Sequence, residues 1–129
     1  MKDQISFMSG LFDTKALNPP VANDRHFGED LAKWMAVRSA GSEFAFGSPL
    51  KTADGWAEKV SANGEDFVLG FGIDNSTIGD DYAGWTITIE KQRFLNFFGS
   101  KDSPSRRRLC DLIHNILRDE PQIREVQWR

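Results

Sequence analysis

Glu58 is the residue whose chemistry stands out first. The stretch Asp54–Glu90 reads DGWAEKVSANGEDFVLGFGIDNSTIGDDYAGWTITIE, and Asn63–Gly64 lies at its centre. Asn-Gly between two strand-like runs signals a type I′ hairpin turn, because both central residues need positive φ. A two-residue turn fixes the register: Ala62 faces Glu65, Val60 faces Phe67, Glu58 faces Leu69 and Trp56 faces Phe71. The side-chain period of a strand then puts Glu58 on the face of Trp56, Val60, Phe67, Leu69, Phe71 and Ile73. A carboxylate on an apolar face has a raised pKa unless paired, and such groups are enriched at functional sites. A β-bulge that turns Glu58 to solvent is the alternative. An enzyme or small-ligand site here would use Glu58 with Asp54, Trp56 and Arg93.

Arg106–Arg107–Arg108, with Lys101 nearby, is the most unusual charge feature. Three cations in the first turn of a helix oppose its macrodipole. They fit an anion or phosphate site made with the helix's free N–H groups, but a solvated face offset by Asp102, Asp111 and distant acids is the expected reading, since Ser103 already caps part of that terminus.

Three other patterns fail as sites. In Asp74–Asp81 (DNSTIGDD), calcium coordination of the EF-hand type would place Ile78 and Trp85 at ligand positions, so a solvated loop is expected. Gly70–x–Gly72 is followed by strand rather than helix, so it is no dinucleotide fingerprint; glycines on one strand face let another element approach closely. Cys110 and His114 stand one helical turn apart, but only His26 could join them and no second cysteine exists, so a Cys/His zinc site is incomplete. A Cys–His catalytic pair lacks its orienting third group, and His114 is expected to be a boundary residue beside the apolar stripe. No catalytic residue, metal ligand or cofactor is assigned.

The elements that must position these residues follow from periodicity. Gln4–Met8 reads as an edge strand, and Ser9–Asn23, with Pro19 and Pro20, as loop. DRHFGEDLAKWMAVRSAG is helical, with Phe27, Leu31, Trp34, Met35 and Arg38 on one stripe, Asp24 as candidate cap and Gly41 as candidate stop. Ser42–Phe46 is a short strand, and Gly47–Ser48–Pro49 breaks the chain before the meander. The meander's third strand, Gly84–Lys91, sets Trp85, Ile87 and Ile89 against Thr86, Thr88 and Glu90. Phe94, Leu95, Phe97 and Phe98 fit a helical turn or a packed loop equally. Ser103–Pro104 then opens a helix whose stripe is Leu109, Leu112, Ile113, Ile116 and Leu117. Pro121 stops it, and Ile123–Trp128 is a last strand. The order β–α–β–β–β–β–α–β predicts an α+β two-layer sandwich: a mostly antiparallel sheet of about five to six strands packed by two amphipathic helices.

Phe27–Gly28–x–Asp30–Leu31–Ala32–x–Trp34, Asp54–Gly55–Trp56 and Trp85–x–Ile87–x–Ile89–Glu90 together resemble landmarks of small uncharacterised bacterial α+β proteins. In these an acidic residue and Gly-Trp precede a hydrophobic strand with glycines nearby. The resemblance covers about residues 27–128. It implies the fold but no known activity, and such small proteins invite an immunity-protein role in a toxin system.

Composition sets the outer bounds. At 129 residues, 40% hydrophobic and 12% aromatic, residues 1–129 suit a single α+β domain that needs no disulfide or metal staple. A net charge of -3 disfavours a general nucleic-acid partner. One cysteine, Cys110, cannot form an internal disulfide, and neither a membrane-length apolar run nor a secretory signal is seen, so a cytoplasmic protein is expected. The expected function is non-enzymatic interaction with a protein partner through one sheet face or the acidic loop. The rivals are the Glu58/Trp56 site and anion or nucleic-acid binding through Arg106–Arg108. The oligomeric state is left open.

Overall fold

The computed structural model describes residues 3–12, 14, 27–53, 55–91 and 104–129. Its elements are β1 (Gln4–Ser9), α1 (Glu29–Arg38), β2 (Ala45–Phe46), β3 (Leu50–Lys51), β4 (Trp56–Ala62), β5 (Glu65–Ile73), β6 (Ala83–Lys91), α2 (Pro104–Arg118) and β7 (Ile123–Trp128), with a 3₁₀ turn at Asn75–Thr77. The seven strands form one sheet in the order β2-β4-β5-β6-β1-β7, with β3 also paired to β4. Every pairing is antiparallel.

The hairpin forms in the predicted register, from Trp56↔Phe71 through Glu58↔Leu69 to Ala62↔Glu65. Asn63 and Gly64 take φ of 54° and 77°, the two positive values that a type I′ turn requires. From β5 the ladder passes to β6 through Leu69↔Ile89 and Phe71↔Ile87. Phe67, Leu69, Phe71, Trp85, Ile87 and Ile89 all lie in the core. Leu31, Ala32 and Met35 of α1 and Leu109, Ile113 and Leu117 of α2 complete the same cluster, so both helices cover one face. An α+β sandwich results, as the complementarity of two helical stripes and one apolar sheet face requires.

Four local expectations need correction. β1 is interior, lying between β6 and β7, rather than an edge; Ile5 and Phe7 are sealed under the helices either way, so alternation alone could not distinguish the two. The true edge, β7, carries a bulge: Ser6 pairs Gln127 but Met8 pairs Arg124, and Glu125 takes φ 56°. The extra residue brings Ile123 onto the core side with Val126 and Trp128. The break at Gly47–Pro49 is followed by a strand absent from the expected order, β3, and Ser42–Phe46 contracts to β2. The first helix starts at Glu29, with Gly28 as N-cap at φ 118° and no side-chain cap, while Asp24 and His26 fall outside the described residues. The left-handed φ of Gly28, which side chains rarely adopt, is what calls for glycine there, since a Cβ would make only ordinary contact with Trp56 Cδ1 at 3.5 Å. Ser39 ends that helix before Gly41, its N–H donating to the Met35 carbonyl while the Ala40 N–H donates to that of Val37. The second helix begins at Pro104, as expected.

Candidate functional site

Glu58 lies on β4 with the parity of Val60 and Ala62, all buried. The β4–β5 ladder runs through it without a bulge, so the solvent-facing alternative is excluded. Its side chain is 0% exposed, and among the described residues no donor reaches either carboxylate oxygen. Burial pushes its pKa up from 4.5 to about 8. A carboxyl held neutral near pH 7 can both donate and accept a hydrogen bond, and it sits in the range useful for general acid–base transfer.

Its neighbourhood is apolar. Leu69 lies opposite, and Trp56, half-buried, stands two residues along the strand. Gly55, at φ 152°, packs so closely on the Phe71 carbonyl that a Cβ there would collide with it. Asp54 and Arg93, the other residues expected at this site, lie outside the described residues.

The arginine run does not make one cationic patch. Arg106 is only 3% exposed, and its Nη1 lies 3.7 Å from Cys110 Sγ. Arg107 is exposed. Arg108 points to the Ser42–Phe44 loop: its Nε donates to both Glu43 carboxylate oxygens at 3.1 and 3.0 Å, and its Nη2 donates to Ser105 Oγ at 3.1 Å. Asn63 Nδ2 also donates to Glu43 Oε1, at 3.0 Å. Glu43 therefore ties the hairpin turn to α2 beside a groove of about 360 Å³ lined by Phe44, Asp111, Leu112 and Asn115. Consecutive helical residues project about 100° apart, so a run of three spreads over inner, outer and lateral directions. Arg106 thus corrects the solvated-face reading.

His114 is committed elsewhere. Its Nδ1 accepts a 3.1 Å hydrogen bond from Trp128 Nε1, and the rings stack with centroids 6.5 Å apart. The acidic loop is knitted internally, with Asp74 Oδ1 accepting from Ser76 N and Ser76 Oγ and Thr77 Oγ1 accepting from Gly84 N. Among the described residues no cluster of three or more His, Cys, Asp or Glu side chains could hold a metal ion.

Sequence reasoning missed the Glu43 bridge, which joins residues 65 apart in the chain, and the buried Trp85 indole N–H, which has no acceptor among the described residues. Neither leaves a periodic trace. Compared with known proteins, the chain matches no protein family, no curated protein and no solved structure. Among the described residues no helix is long and apolar enough to cross a membrane.

Proposed function

We propose that the chain is a non-enzymatic interaction protein whose sheet receives a folded protein partner on the face the helices leave free. The observation that carries this reading is the asymmetry of the sheet. One face is dry; the other presents Ser6, Lys59, Ser61, Gly70, Thr86 and Thr88, half-buried or exposed, with no described helix across it. Six strands spaced about 4.8 Å apart, up to nine residues long, give a surface of about 700 Å², close to the ~800 Å² each partner contributes to a standard interface. The partner's matching surface is polar and rich in hydrogen-bonding groups, as the hydroxyls of Ser6, Ser61, Thr86 and Thr88 require.

The immunity-type reading names that partner as a toxin, and the lone cysteine supports a reducing compartment such as the cytoplasm for the encounter. Nucleic acid is disfavoured by the net charge of -3, by the inward Arg106 and by the pairing of Arg108 with Glu43. The second reading, a small-ligand or enzyme site at Trp56 and Glu58, is favoured by the unpartnered buried carboxyl.

The test compares wild type, Thr88→Arg and Val37→Arg as baits in lysate of the source cells. Val37 is 72% exposed on α1 and serves as the control. Loss of the captured partner with Thr88→Arg alone is the expected result. Equal capture by all three proteins contradicts the sheet-face reading.

A further inference from the structure

Glu58 sits where the sheet is least firmly closed. On the edge side of β4, β2 pairs Val60 and Ser61, and β3 pairs Trp56 and Ala57. Between them Glu58 and Lys59 have no strand partner, and that gap is bridged by Gly47 N donating to the Lys59 carbonyl at 2.7 Å. The run 45–53 that forms this edge is exposed except at Phe46 and Pro49, which are half-buried. A groove of about 380 Å³ lined by Phe46, Gly47 and Lys59 undercuts it from the free face. Little apolar area therefore holds this edge down, the condition for local opening well below the global unfolding cost.

We propose that Glu58 is the latch of a conformational switch: the β2–β3 edge stays closed beside β4 while the Glu58 side chain is neutral and opens when that side chain ionises. Ionised in place, the fully buried carboxylate would have no donor among the described residues, a state far costlier than freeing two two-residue strands. Opening the edge gives it water. Among the described residues no donor meets the carboxyl, the buried Arg106 of α2 included. On α1, Glu29 pairs with Lys33, Asp30 accepts from Leu31 N, and Arg38 pairs with Glu120. Lys51 of β3, Glu65 and Asp66 of β5 and Lys59 of β4 itself leave both Glu58 oxygens without a donor, and β2 contains no titratable residue. Burial raises the carboxyl's pKa to about 8, so rising pH favours opening progressively from the ordinary value of 4.5 up to about 8. The switch stands apart from the sheet-face reading, since it needs no partner.

The experiment is amide hydrogen exchange of wild type and Glu58→Gln, compared at the same pH so that intrinsic rates cancel. At about pH 4, below both pKa values, the two should match. At pH 9, exchange in residues 45–60 of wild type should exceed that of Glu58→Gln by about tenfold or more, since each pH unit between the two pKa values changes the equilibrium by up to tenfold. β1 and β6 should match at both values. Equal rates in 45–60 at pH 9, or an equal rise throughout the sheet, overturns the latch. If Glu58→Gln does not fold, a ¹³C titration of the wild-type carboxyl decides: a midpoint well above the ordinary glutamate range is expected, and one near 4.5 overturns the proposal.

Discussion

Glu58 stands directly opposite Leu69 on the covered face of the sheet, in a ladder that runs unbroken from Trp56↔Phe71 to Ala62↔Glu65. A carboxyl and a leucine thus share one dry layer, and the carboxyl has no hydrogen-bond donor among the described residues. The register that places it there depends on one turn.

Gly64→Val should therefore destabilise the protein by at least about 1 kcal/mol, because a β-branched residue resists the positive φ that Gly64 adopts. No contact explains the loss, since nothing lies within 4 Å of a Cβ built there. Thermal unfolding checks it, and an unchanged Tm contradicts the turn.

Gly55→Ala tests close approach rather than turn geometry. The new methyl group would meet the Phe71 carbonyl across the β4–β5 pair, at a backbone φ of 152° that alanine resists. A loss of about 2 kcal/mol or more is expected from chemical denaturation, with the hairpin start displaced. Wild-type stability in this variant contradicts the described approach.

On α2, Ile113→Ala should cost about 2–5 kcal/mol, as Ile113 is fully buried. Arg107→Ala should cost less than about 0.5 kcal/mol, because that side chain is exposed. Arg106→Ala should fall between them, through the packing of its buried stem. Denaturation midpoints for the three variants check the order; equal losses at positions 107 and 113 would mean the helix faces the other way.

Much of this architecture is legible in the residues, and the exceptions have physical causes. Asn63–Gly64 specifies a register because only one turn type suits it, and Leu109–Leu117 specifies a buried stripe because its period is helical. The same register places Glu58 on the apolar face, although its complete enclosure is a product of tertiary packing that the register does not show. β1 is indistinguishable from an edge strand by alternation, since its neighbour β7 is supplied by the far end of the chain. β3 is two residues long and has no period to read. The arginine run looks like one feature, yet helical geometry sends Arg106 inward and Arg108 to Glu43. Asp54 and Arg93 lie outside the described residues, so the structure assigns them no place at the site.

The account turns on Glu58 being neutral and unpaired in the folded protein, and its pH dependence measures that directly. The folded pKa, about 8, lies above the ordinary value of 4.5. Stability from this group is therefore fully present below pH 4.5 and is lost as pH rises through 8, at up to about 1.4 kcal/mol per pH unit. Glu58→Gln cannot ionise and removes that slope. Urea unfolding of both proteins from pH 4.5 to 9 should show similar stabilities at the acid end and a wild-type deficit growing to as much as about 4–5 kcal/mol at the alkaline end. Parallel curves across the range would show that Glu58 is ionised and satisfied in the folded protein, contradicting the account.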